Sequence, residues 1–230
     1  MGQKCNPIGF RTGITEEWSS RWYAPKAAYG EFLVEDQKIR KFIDDRLNRR
    51  LPSAQIPKVE IERTRNEVTV FIHTARPGMV IGSRGADVEK LQEELEDLID
   101  RKVDIKVIEV KHPDLSAQLV AEAIAEQLKK RASFRRTMKQ HCEATMAAGA
   151  KGVKIICSGR LGGAEMARSE RQSMGSIPLQ TLQAKVDYGY AVSNTTYGAI
   201  GVRVWIYTGM YGEEAEAESN ERRTGRKGRR

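Results

Sequence analysis

Two glycines separated by two residues, in the segment Gly82-Ser83-Arg84-Gly85, constrain this chain more than any other feature. An apolar run at residues 79–81 leads into the segment, and an amphipathic stretch begins at Ala86. Because glycine has no Cβ atom, the backbone here can pass close to a phosphodiester strand, and the start of a following helix points free N–H groups at it. The segment therefore predicts a loop that binds the backbone of a nucleic acid.

The neighbours of this glycine loop strengthen the prediction. Val68, Val70 and Ile72 alternate with other residues before it, which predicts a strand, and apolar residues recur on one face of a helix after it. That helical face consists of Val88, Leu91, Leu95, Leu98 and Ile99. The same spacing of glycines occurs in the KH module, whose GxxG loop holds about four nucleotides. The alternative is a solvent-exposed turn that the glycines only shape, because such spacings are common in turns.

The charge of the chain is typical of a protein that binds a polyanion. It has 39 Lys and Arg residues against 31 Asp and Glu residues, a net charge of +8 and a sequence pI near 9.4. Residues 221–230 hold six basic residues and one acidic residue, which leaves a net charge of +3 for residues 1–220. An acidic run precedes this basic end, and neither segment contains a large apolar residue. Because burial of apolar side chains cannot offset the entropy cost of folding here, residues 212–230 are predicted to be a disordered tail when free. Such a tail is either solvated or lies against nucleic acid.

Composition and spacing exclude several other classes of protein. No stretch approaches the ~20 consecutive apolar residues of a membrane span, and residues 1–7 lack the apolar centre of a secretion signal. We therefore expect a cytoplasmic protein with no membrane partner. The cysteines and histidines are scattered at spacings that match no zinc module, so we expect no metal and no other cofactor. They are Cys5, Cys142, Cys157, His73, His112 and His141.

A catalytic role finds no support in the same residues. His141 and Cys142 are adjacent, and neighbours on a helix point about 100° apart, which makes them a poor catalytic pair. The glycine-dense segment of residues 158–165 fits neither the P-loop nor the dinucleotide-binding pattern. We therefore expect no enzyme, no catalytic residue and no small-molecule substrate. A DNA repair lyase or nuclease is a third class, for which the sequence offers no catalytic residue.

The hydrophobic pattern changes near residue 112. A chain of 230 residues with 40% hydrophobic content can bury two modest cores, so we predict an α/β (α+β) fold of two domains. The predicted boundaries are residues 1–28 for a mobile amino-terminal arm, 29–111 for the first domain, 112–211 for the second and 212–230 for the tail. The first domain is predicted as a three-stranded sheet backed by helices. Its elements are a helix over residues 29–48 and strands over 59–63, 67–74 and about 103–107.

One long helix, residues 114–148, is predicted to open the second domain. Its residues 129–139 contain six basic side chains and no acidic one. Arg131, Arg135 and Lys139 recur every four residues and would stack along one face over about 12 Å, with Arg136 beside them. We predict that this row of cations binds the phosphates of a nucleic acid. A solvated helix face is the alternative, and the expected absence of a neutralising Glu on the row counts against it.

Strands over residues 153–157, 182–190 and 197–207 are predicted to form a sheet that packs on this helix. A glycine-dense turn follows the first of these strands, and its glycines allow the backbone to approach RNA or a protein partner closely. A loop shaped by packing alone is the alternative. The further predicted contacts to the RNA backbone are Arg160, Gly162, Gly163 and Arg168, together with Lys4 in the arm.

Several ordered segments over nearly the whole chain together resemble the family of bacterial small-subunit ribosomal protein three. They are GQK (residues 2–4), NP (6–7), GI (13–14), HTARPGMVIGSRG (73–85), FRRTMK (134–139), KGVK (151–154), SGRLGGAE (158–165) and TTYGAIGVRVWI (195–206). The resemblance implies a type II KH domain followed by an α/β carboxy-terminal domain. It also implies binding to rRNA in the head of the small ribosomal subunit, near ribosomal proteins ten and fourteen.

The resemblance further implies a place at the channel through which mRNA enters the subunit. There the family's basic helix lines the path of mRNA and assists its unwinding, and the matching positions are Arg135, Arg136 and Lys139. The glycine loop departs from the family, whose members often carry two lysines where this chain has Ser83 and Arg84. One charge fewer weakens a grip on phosphate, although serine can still donate a hydrogen bond.

The resemblance, together with the basic residues, thus implies a structural RNA-binding component of the small ribosomal subunit. It would position mRNA through phosphate contacts, which are indifferent to base identity. The alternative is a free-standing KH regulator that selects particular RNAs. Such a regulator predicts strong sequence preference, whereas a ribosomal component predicts co-sedimentation with the small subunit.

Overall fold

The computed structural model describes residues 4–49, 53–64, 67–82 and 85–212. The chain forms two compact units, one of residues 18–113 and one that combines the residues up to 17 with those from 114 onward. Each unit has one four-stranded sheet and its own hydrophobic core. The predicted α/β class is therefore confirmed. The predicted tail lies outside the described residues from residue 213 onward.

In the unit of residues 18–113, helices pack against one face of the sheet. Helix α1 (Pro7–Arg11) precedes this unit and belongs to the other one. The elements that follow are β1 (Ser20–Arg21), α2 (Lys26–Ile43), β2 (Lys58–Arg63), β3 (Glu67–Thr74), α3 (Pro77–Ile81), α4 (Ala86–Ile99) and β4 (Lys102–Glu109). The strand order is β1-β2-β3-β4, in which only β2 and β3 run antiparallel to each other.

The alternation in β3 explains how this sheet buries one face. Val68, Val70 and Ile72 are buried, and the residues between them lie half-buried on the other face. Leu91 and Leu95 of α4 join the same core. The strand and the helix that flank the glycine loop are thus fixed by a shared core, which holds the ends of the loop in place.

Three local features of this unit differ from the prediction. The helix predicted over residues 29–48 begins earlier, as α2, and its last turn is a wider π-type turn at Asp44–Asn48. The residues before the glycine loop form the short helix α3, because Pro77 presets a helical φ at a position where no N–H is needed. The two-residue strand β1 adds a fourth strand beside β2, and its polar pair carries no alternation that could reveal it.

The second unit also packs its helices on one face of a sheet. Its further elements are α5 (Ala117–Lys129), α6 (Phe134–Ala147), β5 (Gly152–Gly159), β6 (Arg168–Gly175), β7 (Ala184–Thr195) and β8 (Gly198–Met210). The strand order is β6-β5-β8-β7, and every pair is antiparallel. Helix α5 packs on β7 and β8, and α6 packs on β5 and β6.

The single helix predicted over residues 114–148 is wrong, because the chain turns between α5 and α6. Arg131 lies in this turn with a left-handed backbone, at a φ of 61°. In an unbroken helix, Phe134 would lie about 240° around the axis from Leu128 and could not share its face. The break lets Phe134 and Met138 return to the core that Leu128 also joins.

Strand β6 is absent from the prediction and lies at one edge of the sheet. Its sequence is RSERQSMG, in which Met174 is the one large apolar residue. An edge strand that is only half-covered needs no apolar alternation, so the period-2 pattern that identifies buried strands is missing here.

The amino-terminal segment is fastened to the second unit by Arg11. The side chain of Arg11 is fully buried and donates hydrogen bonds to five backbone carbonyls, those of Pro7, Pro178, Leu179, Thr181 and Ala184. The predicted arm of residues 1–28 is therefore not one segment. Its first part belongs to the second unit, and its last residues form β1 and begin α2. None of the described helices has both the length and the hydropathy of a membrane span.

Candidate nucleic-acid interface

The glycine loop joins α3 to α4, and its backbone requires glycine. Gly82 has a φ of 70° and a ψ of −168°, a combination that is essentially confined to glycine. A Cβ atom on Gly82 would collide with the side chain of Asp87. Gly85 precedes α4 with a φ of 87° and has open space around it. Ser83 and Arg84, predicted as RNA contacts, lie outside the described residues.

The start of α4 is less positive than the prediction assumes. Asp87 and Glu89 lie in its first turn. Carboxylates there stabilise the helix through its dipole, and they also reduce the attraction of the helix start for phosphate. The N–H group of Gly82 is already donated to the carbonyl of Gly78, so contact of this loop with an RNA backbone stays a prediction.

The basic residues of α6 are exposed at the beginning of that helix. Arg135, Arg136 and Lys139 all point to solvent, and Arg135 is 73% exposed. We call these three residues the α6 basic cluster. The first turn of α6 holds no acidic residue, and the side chain of Ser133, the N-cap residue, makes no capping hydrogen bond. Two arginines at the positive end of a helix dipole oppose helix stability and create a strongly positive surface.

The row predicted from Arg131 to Lys139 is shorter than expected. Because Arg131 lies in the turn before α6, only the α6 basic cluster shares one helix, and Arg135 and Lys139 span about 6 Å along its axis. Arg131 is exposed next to the start of α6.

The expectation that no acidic residue neutralises these cations is also wrong. Arg135 lies 3.3 Å from Glu170, and Lys139 lies 3.8 Å from Glu143. Both pairs are at the surface, where an ion pair contributes about 0 to 1 kcal/mol. An RNA phosphate can therefore displace these carboxylates at little cost. For Arg136 the described part of the chain shows no ion pair.

A phenylalanine brings two predicted features into one place. The ring centroid of Phe134 lies 5.6 Å from the guanidinium of Arg135 and 5.7 Å from that of Arg168. Gly162, in the glycine-dense turn, lies beside the same ring. The start of α6 thus lies beside Arg168 and this turn, although more than 25 residues separate it from both in the sequence.

Contacts inside the protein explain much of the glycine-dense turn. Arg160 donates hydrogen bonds to the carbonyls of Ala164, at 2.9 Å, and Tyr197, at 3.0 Å. A Cβ atom on Gly163 would lie 3.2 Å from the ring of Tyr197. Packing within the protein, which was the alternative interpretation of this turn, therefore explains the glycine at position 163. Two N–H groups of Arg160 are likewise used in hydrogen bonds inside the protein. Contact of either residue with RNA stays a prediction.

Lys4 lies apart from the α6 basic cluster. Burial lowers the pKa of Lys154 on β5, and the positive charges of Arg171 and Lys4 lower it further. Lys4 therefore belongs to a group of cations on the sheet. Lys154 and Arg171 are not among the residues predicted to contact RNA. Lys154 alternates with the buried Val153 and Ile155, which is the signal of a strand with one exposed face, whereas the strand that holds Arg171 has no such pattern.

Two of the cysteines, Cys142 and Cys157, are buried, and His73 and His141 are half-buried. Burial raises the pKa of Cys142 to about 11 and that of Cys157 to about 12, so both remain protonated thiols at neutral pH. Burial lowers the pKa of His73 and of His141. In the described ranges, no group of three or more His, Cys, Asp or Glu side chains is placed to hold a metal ion.

Two family models match the chain. The model described as "KH domain" matches residues 38–115, and the one described as "Ribosomal protein S3, C-terminal domain" matches residues 124–206. Among similar proteins, "Small ribosomal subunit protein uS3" of Rhodopirellula baltica is 58% identical over 93% of this chain and 91% of its own length. Its namesakes in Desulforamulus reducens and Desulfitobacterium hafniense are 53% and 55% identical, over 94% and 91% of this chain and 96% and 93% of their own lengths.

Proposed function

The chain belongs to the family of small ribosomal subunit protein uS3, a structural RNA-binding component of the small ribosomal subunit. We propose that the α6 basic cluster lines the channel through which mRNA enters the subunit, and that Arg131 on the preceding turn extends this cluster. These side chains hold the moving mRNA by its phosphates.

The position of the cations supports this proposal. Arg135 and Arg136 are exposed in the first turn of α6, and that turn holds no acidic residue to offset the positive end of the helix dipole. Contacts from Lys and Arg to phosphate carry no sequence information, so mRNA of any sequence can slide past them. A surface that binds single strands also lowers the free energy of the unpaired state, which assists the unwinding of structured mRNA.

Other predicted contacts would anchor the protein to rRNA. The KH domain, taken as residues 29–111, contributes the glycine loop, and the second domain, taken as residues 112–211, contributes the glycine-dense turn. The anchoring residues in this proposal are Gly82, Ser83, Arg84, Gly85, Lys4, Arg160, Gly162, Gly163 and Arg168. Ribosomal proteins ten and fourteen are the proposed protein neighbours, and the cytoplasm is the proposed compartment.

The salt dependence of single-strand RNA binding tests the role of α6. The triple variant R135A/R136A/K139A should flatten the slope of log K against log salt by about two units, at roughly 0.7 per neutralised phosphate. A matched control, K26A/K38A/K41A, removes the same charge from exposed positions on α2 and should leave the slope unchanged. Equal slopes for the wild type and the α6 variant would refute the proposed mRNA contact.

A further inference from the structure

The sheet of the second unit has a second face, opposite to its helices. Its inner face buries Val153, Ile155 and Cys157 beneath the helices. At one end of the other face, α1 and residues 176–183 cover a small apolar cluster that includes Val186. The rest of that face is open, because Tyr190 is 49% exposed and Arg171 and Arg203 are also exposed.

The strand register places cations and an aromatic ring in one row across this open region. From β6 to β7 the row consists of Arg171, Ile156, Arg203 and Tyr190. Arg171 and Arg203 lie two strands apart, which separates their backbones by about 9.5 Å. We call this row and the neighbouring row nearer to α1 the outer face.

The neighbouring row of the outer face has the same character. Lys154, Trp205 and Tyr188 are its adjacent members on β5, β8 and β7. The ammonium group of Lys154 lies 4.9 Å from the centroid of the Trp205 ring, and the rings of Trp205 and Tyr188 are 5.3 Å apart. Neither row contains a carboxylate. Surface cations usually have acidic neighbours, so this arrangement favours an anionic partner.

The electrostatics of Lys154 support the same conclusion. Burial first, and then the charges of Arg171 and Lys4, lower its pKa. The positive charges of Lys154, Arg171 and Lys4 therefore lie close together, and neither row contains a carboxylate that would compensate them. A bound phosphate would relieve this repulsion, whereas an apolar partner would increase it by removing water.

We propose that the outer face binds unpaired nucleotides of RNA, with phosphates on Arg171, Arg203 and Lys154 and a base stacked on Tyr190. A flat sheet that presents aromatic rings between cations suits splayed bases, because every base offers a face for stacking. A duplex hides its bases and could use only the cations. The site rests on the RNA-binding role of the family, but it shares no residue with the α6 basic cluster, which lies on the opposite side of the sheet.

The test uses the full chain carrying R135A/R136A/K139A, so that binding at α6 is removed. The probes are an unstructured single-stranded RNA of about 12 nucleotides and a duplex of the same length. In this background R171Q/R203Q should flatten the salt slope by about 1.4 units for the single strand. Y190L should weaken single-strand binding by between about fivefold and 140-fold without changing the slope, because it removes stacking and no charge.

Matched variants control for nonspecific effects. K38Q/K41Q removes two exposed charges on α2, and Y23L removes a tyrosine that is 94% exposed. Both should bind like the background protein. Affinities of R171Q/R203Q and Y190L that equal those of their controls would overturn the site, as would a lack of single-strand binding in the α6-deficient background.

Two more outcomes bear on the kind of partner. Equal loss of duplex and single-strand binding in Y190L would refute stacking. Unchanged RNA binding by both variants, combined with failure to join other purified small-subunit proteins, would identify a protein partner and overturn the proposal. Because the background already lacks the α6 basic cluster, failure here leaves the mRNA proposal untouched.

Thermal unfolding of both variants should match that of the background, since Arg171 and Arg203 are exposed and leucine retains the apolar character of position 190.

Discussion

Arg11 should be the polar residue on which the second unit depends most. Its guanidinium is fully buried, and in place of a carboxylate it has five backbone carbonyls, two of them at 2.7 and 2.8 Å. These carbonyls belong to α1, to the segment before β7 and to the start of β7. One side chain therefore joins the amino-terminal segment to a stretch of chain about 170 residues away.

The cost of removing Arg11 follows from these contacts. R11M keeps most of the alkyl stem and loses every donor, so buried carbonyls are left without partners. Three of the five hydrogen bonds are 3.1 Å or shorter, and a hydrogen bond to a charged group contributes about 1.5 to 3 kcal/mol. The guanidinium regains hydration on unfolding, which offsets part of this sum. We therefore expect a loss of about 3 to 5 kcal/mol in the free energy of unfolding of this unit.

Urea unfolding monitored by hydrogen exchange measures this loss unit by unit. R11M should lower the urea midpoint of amides in β7 and β8 and leave those in β3 and β4 unchanged, because the latter strands belong to the other unit. R11K, which retains a charge but not the planar fork of donors, should fall between R11M and the wild type. A loss below about 1 kcal/mol for R11M would refute the assigned role of Arg11.

Two further predictions concern the glycine loop and the buried thiols. G82A should destabilise the unit of residues 18–113 by about 2 to 3 kcal/mol in urea unfolding, and G85A should destabilise it by about 1 kcal/mol. The two values differ because only Gly82 combines a glycine-specific backbone with a position where a Cβ atom would collide with Asp87. Equal losses would contradict this. At pH 7.5 iodoacetamide should modify only Cys5 in the native protein and all three cysteines in denaturant, as measured by mass spectrometry, since Cys142 and Cys157 are buried with raised pKa values. Rapid native labelling of either buried thiol would show that the core of the second unit opens.

Hydrophobic patterns within single segments predicted most of the helices and strands. The alternation in β3 and the apolar face of α4 each follow from contact with a single core, so the amino-acid sequence of each segment predicts them directly. Strand β6 and the break at Arg131 were not predicted, because neither leaves a hydrophobic pattern in the local sequence. An edge strand needs little apolar surface, and the basic residues before Phe134 are as compatible with a continuous helix as with a turn.

The candidate site was predictable where one segment carries it. The charges of Arg135, Arg136 and Lys139 are legible in the sequence, and all three are exposed. The meeting of Phe134 with Arg168 and Gly162 depends on how α6 packs on the sheet, and the row that joins Arg171 to Tyr190 depends on strand register. The row also requires β5 to pair with β8, and the partners in that pair are more than 40 residues apart, so no pattern within one segment reveals it.

Binding of two mRNAs to reconstituted small subunits shows whether the α6 basic cluster contacts mRNA. One mRNA extends through the channel by which mRNA enters the subunit, and the other ends before reaching it. With R135A/R136A/K139A in place of the wild-type chain, the extended mRNA should bind more weakly and the short one with unchanged affinity, because only the extended mRNA can reach α6. Equal affinities of wild-type and variant subunits for the extended mRNA would contradict the account.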